Sequence, residues 1–79
     1  MLVPLYGFLK GDTLGLVVLV HDYQTMRELA VSLQTSASVR VAPAAAADVY
    51  YRGRLLAPDL TVAEAGLRPL DRVDVVGRE

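Results

Sequence analysis

The stretch from Tyr51 to Val76 constrains this 79-residue chain most, because turns, a helix start and a strand follow one another there in a fixed order. Gly53 can adopt a positive φ, so the short apolar segments on either side of it can fold back as a hairpin. Thr61 and Glu64 have the spacing of a capping box, in which each side chain satisfies a free backbone amide of a starting helix. These signals predict a hairpin, a short capped helix that Gly66 ends, and a closing strand.

Strand patterns also occur at both ends of the sequence. Near the end, Val73 and Val75 alternate with Asp74, which is the period-two pattern of a strand with one buried face. At the start, the apolar runs Leu2 to Leu9 and Leu14 to Val20 flank a turn-forming segment of lysine, glycine, aspartate and threonine. The two runs predict an opening β-hairpin.

A second capping box, Thr25 with Glu28, precedes the clearest helical pattern. Apolar residues then recur at the i, i+3, i+4 and i+7 positions of one helix face. We expect a helix from about Met26 to Thr35, followed by an alanine-rich connection from Val39 to Ala47. The residues of the apolar stripe are Met26, Leu29, Ala30 and Leu33.

A hairpin needs a cover for its inner face, and the helix that follows it most simply packs there. The later strands, Tyr50-Tyr51 and Arg72 to Val76, then complete a mixed sheet. The fold class that this order predicts is α+β, a ubiquitin-like β-grasp with one main helix and one short helical turn. We expect residues 1–79 to form a single domain, and a domain of this size buries only about 60–65% of its unfolded surface.

Composition favours a binding module. The hydrophobic fraction of 53% and the mean hydropathy of +0.36 leave more apolar surface than so small a core can hold, so burial against a partner is expected. A net charge of −1 argues against nucleic acid as that partner, because phosphate binding needs a concentrated basic surface. The longest apolar run is far shorter than the roughly 20 residues of a membrane helix, and no secretory signal is recognisable. We therefore expect a cytoplasmic protein without a membrane segment.

The sequence predicts no catalytic, cofactor-binding or metal-binding residues. It contains no cysteine, and its single histidine, His21, has no second histidine with which to build a site. Asp12, Asp22 and Asp71 fall at turns, where aspartate bonds to nearby backbone amides. The remaining aspartates lack the spacing of calcium or magnesium ligands.

One face of the predicted sheet is a candidate interface. If Val49, Tyr51, Val73 and Val75 face the helix, alternation directs Tyr50, Arg52, Asp74 and Val76 to the opposite face. Tyrosine and arginine are enriched at protein interfaces, whereas lysine is depleted. The alternative is that the abundance of arginine reflects genomic composition and that Tyr50 is an ordinary exposed sheet residue. The sequence leaves both readings open.

The residues also carry a resemblance to a known family. It involves Pro4 through Ala30, the segment Arg40-Val41-Ala42-Pro43, and the closing stretches Thr61 to Pro69 and Val73 to Val76. The chain resembles the small γ subunit (system protein B) of the hydroxylase component in toluene-type multicomponent di-iron monooxygenases. It departs from that pattern at Ala44 to Ala47, where a more polar stretch is expected.

The resemblance implies a non-catalytic role in assembly or stability of the hydroxylase. In that family the di-iron centre and the hydrocarbon pocket, for aromatic or alkene substrates, belong to the large α subunit. The α, β and γ chains form a dimer of heterotrimers, and electrons come from NADH through a reductase and a ferredoxin. The residues that we expect to contact the hydroxylase are Tyr50, Arg52, Val76, Arg40, Val41 and Pro43.

Two other classes of protein share the predicted fold. A ubiquitin-like modifier or sulfur carrier would present a C-terminal Gly-Gly, whereas this sequence ends Gly77-Arg78-Glu79. A free-standing bacterial adaptor, similar to the small ubiquitin-like proteins of type VII secretion systems, is the stronger alternative. Fold alone does not separate it from a hydroxylase subunit.

Overall fold

The computed structural model of the chain describes residues 1–12, 14–38 and 46–78. Within these ranges lie five strands and one helix, in the order that the sequence predicts. The elements are β1 (Leu2–Leu9), β2 (Gly15–His21), α1 (Met26–Ser36), β3 (Ala46–Tyr51), β4 (Arg54–Leu56) and β5 (Arg72–Arg78).

The five strands form one sheet in the order β2-β1-β5-β3-β4. β1 is parallel to β5 and antiparallel to β2, while β3 is antiparallel to both β5 and β4. The last strand of the described chain therefore lies at the centre of the sheet, between the two hairpins. The predicted α+β architecture, with its opening hairpin and mixed sheet, is confirmed.

Helix α1 begins at the capping box that the sequence predicts. The Thr25 hydroxyl accepts a hydrogen bond from the Glu28 amide, and the Glu28 carboxylate accepts one from the Thr25 amide at 3.1 Å. Leu29 and Leu33 on the apolar stripe are fully buried against the sheet. The helix runs one residue beyond the predicted Thr35.

The segment after β4 lies against the start of α1. The Met26 amide donates to the Leu60 carbonyl at 2.9 Å, and the Arg27 amide donates to the Pro58 carbonyl at 3.0 Å. The first amides of a helix have no partner inside it. The capping box satisfies the Glu28 amide, and these two carbonyls satisfy the amides of Met26 and Arg27. The contact fixes the later half of the chain to the helix.

The second capping box forms as well, but a helix does not follow it. The Thr61 amide donates to the Glu64 carboxylate at 3.0 Å, and the Glu64 amide donates to the Thr61 hydroxyl at 3.1 Å. The Ala65 amide then bonds to the Thr61 carbonyl, after which Gly66 takes a φ of 72°. The expected short helix is a single helical turn.

A two-residue turn joins β3 to β4. Arg52 and Gly53 both have positive φ, 53° and 78°, as a type I′ hairpin turn requires. The predicted role of Gly53 is confirmed, but Arg52 does not continue the strand, because β3 ends at Tyr51. Strand alternation therefore does not set the direction of the Arg52 side chain, whose guanidinium lies 5.2 Å from the centre of the Tyr51 ring.

β3 begins earlier than the sequence predicts. Ala46 and Ala47, expected in the connection, pair with Arg78 and Gly77 of β5. Alanine has a low strand propensity, so pairing with β5 sets this boundary. The other residues of the predicted connection, 39–45, lie outside the described residues. Three of the expected interface residues are among them: Arg40, Val41 and Pro43.

Helix α1 packs on one face of the sheet, the inner face, and the opposite outer face has no described helix or strand over it. Alternate side chains of β1, β2, β3 and β5 point toward α1 and are buried or half-buried. The described core consists of Val3, Leu5, Leu9, Val18, Val20, Met26, Leu29, Ala30, Leu33, Ala37, Val49, Val62, Leu67, Val73 and Val75.

Candidate interaction surface

Side chains that carry reactive chemistry do not converge in the described part of the chain. It holds no group of three or more histidine, cysteine or carboxylate side chains that could bind a metal ion. His21 stacks on Tyr23 with ring centres 4.9 Å apart. Of the helices described, none is long and apolar enough to cross a membrane. The candidate functional feature is instead a surface: the outer face of the sheet, which no described helix or strand covers.

Two of the turn aspartates bond to the backbone, as the sequence predicts. The Asp12 carboxylate accepts a hydrogen bond from the Leu14 amide at 3.3 Å. The Asp71 carboxylate accepts one from the Arg68 amide at 2.9 Å and another from the Tyr51 hydroxyl at 3.0 Å. These carboxylates stabilise the turns before β2 and β5.

The half of the outer face formed by β1 and β2 is apolar and exposed. Pro4 pairs with Leu19 across the two strands, and Tyr6 pairs with Val17. Val17 is 59% exposed and Leu19 is 65% exposed, although both lie in the middle of a strand. We call this group of five residues the apolar patch: Leu2, Pro4, Tyr6, Val17 and Leu19.

An aromatic and ionic cluster borders the apolar patch on the side of β5. Tyr6 and Phe8 stack with ring centres 5.0 Å apart. The Arg72 guanidinium lies 4.0 Å from the centre of the Phe8 ring and 3.1 Å from the Asp74 carboxylate. Because the arginine charge is matched by the carboxylate, the border carries little net charge.

The other half of the outer face contains two of the expected interface residues. Tyr50 on β3 lies opposite Asp74 of β5, and Val76 lies opposite Asp48. Both Tyr50 and Val76 are half-buried and lie on adjacent strands of the same face. Asp48 forms an ion pair with Arg78 at 3.2 Å, so this half is more polar than the apolar patch.

The structure thus brings Tyr50 and Val76 together and places Arg52 in the neighbouring turn. Sequence reasoning did not single out the apolar patch. A signal was present, since β1 and β2 are apolar in both phases of the strand period. A strand of that kind exposes one apolar face unless a second layer covers it.

Two solved structures illustrate what this fold resembles. A chain of the toluene 4-monooxygenase HD complex with the inhibitor 4-bromobenzoate has a TM-score of 0.91 and 28% sequence identity, over 99% of this chain and 100% of that one. Ubiquitin from Caldiarchaeum subterraneum has a TM-score of 0.82 and 16% identity, over 100% of this chain and 96% of that one. The second comparison shows the fold, a ubiquitin-like β-grasp.

The sequence comparisons give the family. A comparison with curated protein sequences finds no match. The family model described as toluene-4-monooxygenase system protein B (TmoB) matches residues 2–76, a range that reaches from β1 into β5. Because that match spans nearly the whole sequence, the chain belongs to the toluene-4-monooxygenase system protein B family.

Proposed function

We propose that this chain is the small γ subunit of a multicomponent di-iron monooxygenase and that it serves assembly or stability of the hydroxylase. The observation that carries the proposal is the family match over residues 2–76, supported by the TM-score of 0.91 to a chain of a toluene 4-monooxygenase complex. In this proposal the chain works in the cytoplasm, as one member of an α, β and γ set that forms a dimer. The substrates of the whole enzyme are toluene-like aromatic hydrocarbons or alkenes.

The residues of this chain that could ligate iron support a non-catalytic role. Di-iron carboxylate sites take glutamate and histidine ligands from several facing helices. This sequence has one histidine, and the carboxylate of Glu28 on the helix is already bonded in the capping box. These residues do not fit a di-iron centre, so the proposal assigns the iron, the NADH-dependent electron supply and the hydrocarbon site to partner chains.

The contact surface in this proposal includes Tyr50, Val76 and Arg52, together with the segment that holds Arg40, Val41 and Pro43. Tyrosine and arginine anchors dominate the energetics of many interfaces, because they combine large contact area with hydrogen bonding. Tyr50 and Val76 share the outer face, and Arg52 lies in the turn that follows Tyr50.

The test is co-expression with the α and β hydroxylase chains, with an affinity tag on the α chain. The wild-type chain should co-purify with α and β, whereas the isolated chain should bind no iron and oxidise no hydrocarbon. A Tyr50→Ala, Arg52→Ala double variant should keep its circular dichroism spectrum but join the complex poorly. The matched control removes the same residue types elsewhere, as Tyr23→Ala with Arg68→Ala, and should assemble normally.

Two outcomes would count against this proposal at different levels. If the double variant joins the hydroxylase as the control does, the contact does not involve Tyr50 and Arg52. If the wild-type chain joins no hydroxylase, the subunit function itself is wrong, and a free-standing adaptor takes its place.

A further inference from the structure

Among the described strands, β2 is an edge of the sheet, since it stands at one end of the strand order and pairs with β1 alone. The Asp22 amide donates to the Met1 carbonyl at 3.0 Å, which extends the β1–β2 register by one bonded pair. Bonded and non-bonded pairs alternate in an antiparallel ladder. Val18 and Val20 therefore bond to β1, whereas Val17 and Leu19 direct their amide and carbonyl groups away from it.

Hydrogen bonds on the far side of β1 agree with this assignment. The Tyr6 amide donates to the Asp71 carbonyl at 2.9 Å, so Tyr6 directs its amide toward β5 and not toward its β2 partner, Val17. Backbone groups of Val17 and Leu19 thus face the open edge. No group within the described ranges bonds to them.

One end of this edge is already closed. The His21 amide donates to the side-chain oxygen of Gln24 at 2.7 Å, and the His21 carbonyl accepts a hydrogen bond from the Gln24 amide at 3.0 Å. Gln24 therefore occupies the outward groups of His21. The open part of the edge is left at Val17 and Leu19, the two most exposed residues of β2.

The β2 edge lacks the features that usually prevent pairing with another strand. Edge strands that avoid such pairing are short, charged, bulged or interrupted by proline. β2 spans seven residues, Gly-Leu-Val-Val-Leu-Val-His, with no charged residue and no proline, and its register with β1 is uninterrupted. The opposite edge, β4, has only three residues and begins with Arg54.

We infer that the β2 edge takes an extended apolar segment of a partner chain as a sixth strand of the sheet. A row of outward amides and carbonyls is matched residue by residue by another extended backbone, which specifies the backbone of the occupant. Neighbouring β2 side chains are aliphatic on both faces, and directly opposed cross-strand pairs favour like apolar partners over charged ones. Added to β2, apolar side chains of such a segment extend the apolar patch.

This inference rests on the proposed function, in that the partner chain is the hydroxylase. It concerns a different region from the Tyr50 contact, because β2 and β3 are three strand spacings apart, about 14 Å. The two contacts can therefore be tested separately.

The test removes one outward amide and leaves the β1–β2 ladder intact. Leu19→Pro does this, because proline is tolerated at an edge position whose amide faces away from the sheet. Leu55→Pro is the matched control on β4: Leu55 is 59% exposed and lies next to the bonded pair that closes the β3–β4 turn, so its amide also faces outward. Each variant is co-expressed with the α and β chains and recovered through a tag on α.

We expect recovery of Leu19→Pro to fall at least tenfold. Leu55 pairs with Tyr50 of the other proposed contact, so Leu55→Pro serves to show by circular dichroism that an outward edge proline is tolerated. Leu19→Ala keeps the amide and should retain more of the complex than Leu19→Pro; equal losses would overturn strand addition. If circular dichroism shows that Leu19→Pro does not fold, Val17→Lys replaces it, because an edge lysine blocks pairing with an apolar strand. Its control is Val31→Lys on α1, since both valines are 59% exposed.

Recovery of the folded β2-edge variant at the wild-type level would overturn the inference while leaving the subunit function standing. Failure of wild type to join the hydroxylase would instead remove the proposed function. Sedimentation of the isolated chain tests whether the occupant of the β2 edge is a second copy of this chain. A wild-type dimer that Leu19→Pro dissociates, with hydroxylase binding unchanged, would overturn the assignment to a partner chain.

Discussion

The two capping boxes have nearly the same local geometry but different outcomes. In the Thr25–Glu28 box the amide-to-carboxylate distance is 3.1 Å and the amide-to-hydroxyl distance is 3.3 Å. In the Thr61–Glu64 box the corresponding distances are 3.0 and 3.1 Å. The first opens an 11-residue helix and the second a single turn. A capping box thus determines where a helix begins but not how far it runs.

The residues that follow each box account for the difference. After Thr25, apolar residues recur along one face for the whole helix and are buried on the sheet. After Thr61, the Gly66 amide bonds to the Ala63 carbonyl and the Leu67 amide to the Val62 carbonyl, as in a Schellman motif that ends a helix. Burial of a continuous stripe, more than the cap, decides helix length.

The largest expected effects come from removing the buried anchor of each region. Leu29→Ala should lower the free energy of unfolding by about 2–4 kcal/mol, because it leaves a cavity between helix and sheet. Val62→Ala removes two methyl groups from a fully buried site and should cost about 2 kcal/mol. Urea denaturation measures both, with exposed Val31→Ala as the control. A cost below about 1 kcal/mol for Leu29→Ala would mean that the helix is not anchored there.

A smaller effect is expected at the residue that ends the second region. Gly66→Ala should cost about 1–2 kcal/mol, because a non-glycine residue is strained at a φ of 72°. Beyond the glycine and its chain neighbours, no atom of the described residues lies within 4 Å of an added Cβ, so the cost is a backbone effect and not a clash. Gly66→Asn should be milder, since asparagine tolerates this conformation. Thermal unfolding that ranks Asn below Ala would contradict this explanation.

Loss of each cap should cost less than loss of either buried anchor. Thr25→Ala and Thr61→Ala each remove the hydroxyl that accepts a hydrogen bond, and about 1 kcal/mol is typical of such a loss. We expect the larger of the two effects at Thr25, because its cap supports more helical residues. Thr→Ser at either position keeps the hydroxyl and serves as the control. Equal losses of unfolding free energy for Thr25→Ala and Thr61→Ala would show that the length of the helix does not affect the contribution of its cap.

The smallest effect is a pH dependence shared by the two boxes. A hydrogen bond from the Thr25 amide, assisted by the Thr25 hydroxyl, lowers the pKa of Glu28, and Thr61 lowers the pKa of Glu64 in the same way. Because the folded pKa lies below the ordinary value of 4.5, this stability is present above that value and is lost as the pH falls through the folded pKa.

The melting temperature should therefore fall on acidification from about pH 5 to about pH 3, and a Glu28→Gln, Glu64→Gln variant should fall less steeply. The single variants Glu28→Gln and Glu64→Gln compare the two boxes. Each should reduce the slope of melting temperature against pH by a similar amount. An unchanged slope in the double variant would show that the carboxylates are not bonded in solution as the structure has them.

The order of elements was predictable because each has a local cause. Apolar runs beside a turn segment identified β1 and β2, alternation identified β5, the 3.6-residue period identified α1, and glycine identified the β3–β4 turn. Boundaries were less predictable where a distant partner decides them. Ala46 joins β3 only because β5 lies beside it, and Arg52 takes a turn position that is more usual for asparagine or glycine.

The outer surface was only partly predictable from the sequence. Alternation placed Tyr50 and Val76 on one face, since one phase of their strands is clearly buried. For β1 and β2 both phases are apolar, so the period does not show which residues stay exposed. The outward amides of Val17 and Leu19 follow from strand order and register, which single-strand patterns do not contain.

The central position of β5 has a consequence for how the molecule folds. Tyr6 near the start of the sequence pairs with Arg72 near its end, so β1 and β5 meet only after a loop of nearly the whole chain closes. Before that, the chain holds two separate hairpins, and an isolated hairpin is at best marginally stable in water. High contact order of this kind slows folding. Pairing of β5 with both hairpins joins two marginally stable parts into one cooperative unit.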